Sequence, residues 1–375
     1  MGHAQGSLEN VGLSFWRNKR VLITGHTGFK GSWLVLWLQA LGAQVNGYAL
    51  APPSQPNLFA DARVAGGMVA STLADIRDAG RVEQALLESQ PEVLIHMAAQ
   101  PLVRRSYQDP IETYATNVMG TVHVLEAARR NRSLRVVVIV TSDKCYENRE
   151  WVWSYRENDR LGGYDPYSNS KGCAEMATAA FRSSFFHPAR YADHGVAVAS
   201  ARAGNVIGGG DWAEDRLIPD LVRAFRVGQA ALIRNPAAVR PWQHVLEPLS
   251  GYLQLAERLW NAGPAFAQAW NFGPAGDDLR PVGWIADQAA ALWGGGARWT
   301  RDGSEVPHEA QMLRLDSSKA ISMLGWTPRW SLEEALAATM DWYKRQQQGQ
   351  DMRTATLEQI KCYEGCQAKP VASKQ

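Results

Sequence analysis

Between residues 20 and 203 the chain changes its hydrophobic period in strict alternation. Two-residue periods or short continuous apolar runs, "RVLIT" (20–24), "AQVNGYAL" (43–50), "PEVLIHMAA" (91–99), "LRVVVIVTS" (134–142) and "GVAVASARA" (195–203), read as strands. The stretches between them, "KGSWLVLWLQALG" (30–42), "VEQALLESQ" (82–90), 110–131 and "SKGCAEMATAAFRSSFF" (170–186), carry apolar residues three and four apart and read as helices. A strand that hands over to a helix before the next strand can pair only in parallel, because the crossover returns the chain to the same end of the sheet. The alternation therefore predicts an α/β fold with a doubly wound parallel sheet, helices covering both faces. After residue 205 short helices mix with short strands and Pro/Gly turns, which predicts a smaller, mixed α/β C-terminal lobe. The domain reading is 16–204 for the sheet domain (with some later segments returning to it), 205–345 for the second lobe, and 346–375 for a peripheral helix and tail.

The 375 residues, 46% hydrophobic and 20% charged, suffice for such a core. A net charge of +2 supplies no electrostatic reason to bind nucleic acid or a membrane surface. No apolar run is long enough to span a bilayer, and the first twenty residues lack the apolar segment of a signal peptide, so the cytoplasm is expected. Cys145, Cys173, Cys362 and Cys366 form no metal-type spacing, and no metal is expected.

The first strand runs into "VLITGHTGFKGSW", with Gly25, Gly28 and Gly31 as GxxGxxG at the start of the first helix. Glycines there let the backbone approach a pyrophosphate, and the helix N-terminus offers N–H donors and partial positive charge. With strand before and helix after, a Rossmann-type dinucleotide site is the expectation. The end of the second strand, Gly47 to Pro53, has neither the acidic residue that selects NAD nor an arginine in its place, so that strand leaves NAD and NADP open. His26 and Lys30 either add positive charge near the phosphates or point to solvent. Further on, "DPYSNSKGCAE" sets Tyr167 four residues before Lys171, on one helix face, where an ammonium lowers a phenol's pKa. Ser142 stands at a strand end, followed by Asp143 and Lys144.

"TGHTGFKG", "HMAAQP" (96–101), "TSDKCY" (141–146), "YSNSK" (167–171) and "RAGNVIGGGDW" (202–212) together resemble the extended short-chain dehydrogenase/reductases that act on nucleotide sugars. Within them the chain is most similar to the branch that dehydrates CDP-glucose at C4 and C6, as "GHTGFKGSW" and the Ser-Asp-Lys triplet indicate. The resemblance covers roughly residues 16–365. It implies NAD held by Gly25, Thr27, Gly28, Phe29, Lys30, Gly31, Asp75, Ile76, Ala98, Ala99, Gln100 and Asn117, beside Tyr167 and Lys171. It implies a catalytic set of Ser142, Asp143, Lys144, Tyr167 and Lys171. Asn205 and Arg240 would meet the diphosphate of CDP-glucose, Arg216, Leu217 and Ile218 would lie near the nucleotide, and Trp242 and His308 complete the expected substrate side. A homodimer or dimer of dimers is also implied.

An epimerase of this family needs only the Ser, Tyr and Lys set. Elimination across C5–C6 additionally takes a base for the C5 proton and an acid for the C6 hydroxyl, and Asp143 and Lys144 are of the right types. Which is the base stays open, because an adjacent ion pair holds lysine protonated and aspartate ionised, unless the two share one proton. The remaining readings are an epimerase and a non-catalytic NAD(P)-binding sensor.

Overall fold

The computed structural model describes residues 13–274, 280–302 and 313–366. Its centre is a seven-stranded sheet: β1 (Arg20–Thr24), β2 (Gln44–Ala49), β3 (Ala70–Leu73), β4 (Val93–His96), β5 (Val136–Val140), β6 (Ala197–Ala203) and β7 (Ala269–Phe272). Every pairing is parallel, in the order β7-β6-β5-β4-β1-β2-β3. β5 is Val-Val-Val-Ile-Val with all five side chains buried, as a strand covered on both faces requires. β3 and β7 have no counterpart in the strands read from sequence. β3 is short and mostly exposed at the sheet edge, and β7 lies in the stretch after residue 205, where the alternation is lost.

The chain reverses its winding between β1 and β4, the switch point where open α/β sheets open a cleft at the carboxyl ends of their strands. Thr24 ties that point together. Its Oγ1 accepts from the N–H groups of Met97 and Ala98 at 3.1 and 3.2 Å and bonds His96 Nδ1 at 2.7 Å.

The first sheet-covering helix, Phe29–Ala40, is buried continuously from Gly31 to Leu38. One side lies on the sheet. The other is covered by the Met352–Gly365 helix, the segment read as peripheral, whose Ile360 and Tyr363 are fully buried and whose Glu364 accepts from Trp37 Nε1 at 2.7 Å. The helix expected over 110–131 is continuous but includes a π-turn, Ala115–Met119, which leaves Asn117 buried. Beyond residue 205, short pairings join Val206–Ile207 to Gln243–His244, Ala231–Ile233 to Trp299–Arg301, and Val239–Arg240 to Arg280–Pro281. The Leu246–Ala262 helix and β7 return from this region to the central sheet.

Candidate active site

The glycine loop needs its glycines for close approach. Gly25 has φ +79°, and a Cβ there would lie 2.8 Å from the Ala98 nitrogen; on Gly31 it would lie 2.1 Å from the Gly25 carbonyl oxygen. Gly28 caps the Phe29–Ala40 helix with no side-chain acceptor, so the first-turn N–H groups face the cleft without one. Thr27 donates to the Leu50 carbonyl at 2.8 Å, and Phe29 packs against Gly208. The two basic loop residues take neither place expected of them. His26 is buried against Gly47 of β2 and bonds Ser71 of β3 at 2.7 Å; burial lowers its pKa to about 4, so it carries no charge toward a phosphate. Lys30 runs inward, its Nζ 3.1 Å from the hydroxyl of the buried Tyr252.

On the remaining cofactor side, the Asp75 carboxylate is engaged by Arg77 and the Asp75 carbonyl accepts from Tyr48 at 2.6 Å. Ile76 is buried against Gly120. Ala98 and Ala99 line the exit from β4, half-buried. Gln100 is buried, with its amide nitrogen given to Leu102 and Thr113, so its side chain is already occupied. Asn117 accepts from the Gln100 N–H at 2.8 Å and donates to Ser170 Oγ at 2.8 Å, joining the β4 exit to the Pro166–Ser184 helix.

The Ser-Asp-Lys triplet opens a 3-10 turn, Asp143–Cys145, that Ser142 caps. Its Oγ accepts from the Lys144 N–H at 3.2 Å and donates to Asp143 Oδ1 at 2.9 Å. The Pro166–Ser184 helix starts cleanly because Asp165 accepts from the Ser168 N–H and Pro166 needs no acceptor for a missing N–H. This puts Tyr167 in the first turn, where its phenol shares a hydrogen bond with Ser142.

Burial dominates the electrostatics of this set. It raises Tyr167 to about 12, against the pull of the Ser142 bond. Lys171 does not bring the phenol down as its spacing suggested: its ammonium bonds the Val140 carbonyl at 3.4 Å, and burial lowers it to about 8. Asp143 is raised from the ordinary carboxylate range by burial, although Lys144, Ser142 and Arg240 all act to lower it. Burial thus outweighs the pull of the adjacent lysine on Asp143. Its second oxygen, Oδ2, is buried without a hydrogen-bond partner, 3.1 Å from where a Cβ on Gly204 would lie.

On the substrate side, Arg240 is buried and its charge reaches Asp143. Arg216 pairs with Asp211 at 2.8 Å and its field reaches Tyr167. The Ile218 side chain belongs to the core, and Leu217 is half-buried against the same core. Asn205 gives its carbonyl to the Gln243 N–H at 3.1 Å, and Trp242 is buried. His308 lies outside the described residues.

Beneath the set lies a network that the sequence reading missed. Glu175, one turn beyond Lys171, pairs with Arg202 at 2.8 Å with both side chains almost wholly buried. It also accepts from Ser200 at 2.6 Å and from Thr141, while Arg202 donates to the Tyr146 hydroxyl at 2.7 Å. Glu175 at i+4 from Lys171 was the available signal, but its partner Arg202 is on β6, distant in sequence.

The model of the family described as GDP-mannose 4,6 dehydratase matches residues 22–259. The chain belongs to that family. A CDP-glucose 4,6-dehydratase of Salmonella typhimurium is 56% identical over 353 residues, 94% of this chain and 98% of that protein. Among solved structures, the epimerase Mth375 of Methanothermobacter thermautotrophicus superposes with a TM-score of 0.77 at 21% identity, covering 91% of this chain and 96% of that one. MoeE5 in complex with UDP-glucose and NAD superposes at 0.71 with 27% identity, covering 87% and 99%. The family accounts for the switch-point cleft with a glycine loop on one side and the Ser142–Lys144 turn on the other.

Proposed function

We propose that this chain is a CDP-glucose 4,6-dehydratase that works on bound NAD. The observation that carries this reading is Asp143: a carboxyl buried beside Ser142 and Tyr167, raised in pKa and with one oxygen unpartnered. A proton-donating acid there serves elimination, and an epimerase has no use for one. The identity of the nucleotide rests on the likeness to the Salmonella enzyme, and the choice of NAD on the likeness to MoeE5.

The residues present fit the cofactor. A Cβ on Gly25 or Gly31 would close the loop, and the uncapped N-terminus behind Gly28 suits a pyrophosphate. Gly25, Thr27, Gly28, Phe29 and Gly31 would hold that end, with Asp75, Ile76 and the Ala98–Gln100 exit along the rest. A nicotinamide bound there would supply a reversible hydride acceptor, for C4 and then C6.

The protein's own groups move the protons. Ser142 bonds the C4 oxygen while Tyr167 receives its proton. Because the phenol begins protonated, it must pass its own proton on, and Ser142 and Lys171, the latter brought to about 8, are the carriers at hand. With C4 a ketone the C5 proton is acidified; with the pair's shared proton on the buried Asp143, Lys144 as the neutral amine accepts the C5 proton, and Asp143 gives its own to the departing C6 hydroxyl. Asn117 holds the Pro166–Ser184 helix against the β4 exit. Asn205, Arg240 and Trp242 face the diphosphate and sugar, with the Arg216–Ile218 segment near the nucleotide.

We further propose a cytoplasmic homodimer or dimer of dimers. No described helix is long and apolar enough to cross a membrane. Ile111 and Met119 on the 110–130 helical segment, and Met176 on the Pro166–Ser184 helix that carries Tyr167, are exposed, which supports a contact there; a light-scattering mass equal to one chain would remove it.

The deciding test is incubation with CDP-glucose, and separately with UDP-, GDP- and dTDP-glucose, with and without added NAD. A 4-keto-6-deoxy product from the CDP sugar alone, formed without added NAD, is the expected result. A C4-inverted sugar without a ketone would replace the reading with an epimerase, and no turnover with any sugar but tight NAD binding would replace it with a sensor.

A further inference from the structure

The mechanism leaves the buried Lys30–Tyr252 pair unused. Lys30 is the second residue of the helix that follows the glycine loop, yet its side chain runs inward to the buried Tyr252. Its Nζ lies 3.1 Å from the Tyr252 hydroxyl and 5.3 Å from that ring's centroid. Tyr252 is fully buried on the Leu246–Ala262 helix, and its ring packs edge-on against Phe272 of β7. A phenol can accept from an ammonium and donate to an amine, so Tyr252 holds Lys30 in either charge state. The charged groups acting on Lys30 come from three other elements: Lys171 of the Pro166–Ser184 helix, Arg216 before the Leu217–Arg226 helix, and Asp143 of the 3-10 turn. Tyr252 in turn lies in the field of Tyr167 and Asp143. The pair therefore belongs to the catalytic end of the cleft. Burial and the two neighbouring cations bring the ammonium down to about 7.

We propose that Lys30, anchored by Tyr252, is an electrostatic positioning residue whose charge makes the cleft favour the reduced over the oxidised nicotinamide. This rests on the reading of the cleft as an NAD site. The oxidised ring carries a positive charge and the reduced ring none. Of the groups acting on Lys30, Arg216 is already paired to Asp211 and Lys171 is already in the field of Glu175. The charge of Lys30 is the one that no carboxylate pairs directly among the described residues, and it penalises the oxidised ring alone and so draws hydride out of C4. A lysine at the phosphates would act differently, tightening both forms equally.

The experiment measures the dissociation constants of NAD and NADH on the full-length protein freed of nucleotide. It compares wild type, Lys30→Met and Lys30→Arg, at a pH well below and a pH well above 7. Below it, Lys30→Met should shift the ratio of the two constants about tenfold toward the oxidised form, since unit charges in a partly buried site interact with energies of that order. For a two-electron couple this is about 30 mV lower potential for the bound cofactor. Above it, wild type should lose the preference and match Lys30→Met, while Lys30→Arg keeps it. If the methionine variant does not fold, the high-pH difference between Lys30→Arg and wild type carries the same test. An equal weakening of both forms would assign Lys30 to the phosphates and overturn the proposal, as would an unchanged ratio. Failure of wild type to bind either form would overturn the NAD reading and this inference with it.

Discussion

Asp143 and Lys144 are neighbours in sequence but not in environment. Asp143 is buried with an orphaned oxygen, while Lys144 is half-buried at the turn. Desolvation disfavours the ionised carboxylate more than its polar neighbours restore it, which suits a group that must hold a proton until the C6 oxygen needs it. Asp143→Asn keeps the shape and removes the proton; kcat should fall by roughly 10²–10⁴-fold, with exchange of the C5 proton into solvent retained, as NMR in deuterated buffer would show. Lys144→Met should do the reverse and abolish that exchange. An intact elimination rate in Lys144→Met would remove the lysine from the base role. Tyr167, one hydrogen bond from Ser142, is tested more simply: Tyr167→Phe should block the first hydride transfer, read as loss of the absorbance change at the nicotinamide on mixing with substrate.

Whole elements hold these side chains, and the Leu246–Ala262 helix shows how. Besides Tyr252 it carries Glu247, buried deep, which accepts from the Trp330 N–H at 2.8 Å, the Arg329 N–H at 3.1 Å and the Tyr363 hydroxyl at 2.7 Å. The helix thereby clamps the chain ahead of the Leu332–Gln347 helix and the last described helix. Burial raises Glu247 from 4.5 to about 7, its three donors notwithstanding. The folded state then binds the proton more tightly than the unfolded chain. The stability this adds is full below the unfolded pKa and is lost as pH rises toward 7, a swing of about 3 kcal/mol at 1.36 kcal/mol per unit. Tm should therefore fall between pH 4.5 and pH 7 in wild type and be flatter in Glu247→Gln, by thermal melts across that range. The glycine loop is constrained more rigidly. Gly31→Ala would set a methyl 2.1 Å from a carbonyl oxygen, so the helix start must move, and NAD affinity should drop at least about tenfold by titration.

At the scale of the molecule, the two regions meet through polar groups as well as apolar ones. The Glu175–Arg202 pair joins the Pro166–Ser184 helix to β6, and from Arg202 the bonds run through Tyr146 to Asn271 on β7, and on to the carbonyls of Tyr155 and Asp316. Removing one partner leaves the other charged and buried, so Arg202→Met should cost about 3–5 kcal/mol by denaturant unfolding. Much of this molecule was legible beforehand. The alternating periods contain the parallel sheet, because side-chain period is a local property that burial on both faces imprints on each strand. GxxGxxG and the Tyr167–Lys171 spacing are local too, since a tight turn and one helix face are each built within a few residues. What the sequence did not disclose is where long side chains end and which force wins there. Lys30 reaching Tyr252, His26 neutral beneath β2, Glu175 meeting Arg202, and Asp143 raised despite its lysine all depend on groups from distant segments and on the exclusion of water. Sequence alone determines which residues can exchange protons; desolvation, which exists only once the chain has packed, decides in which state they stand.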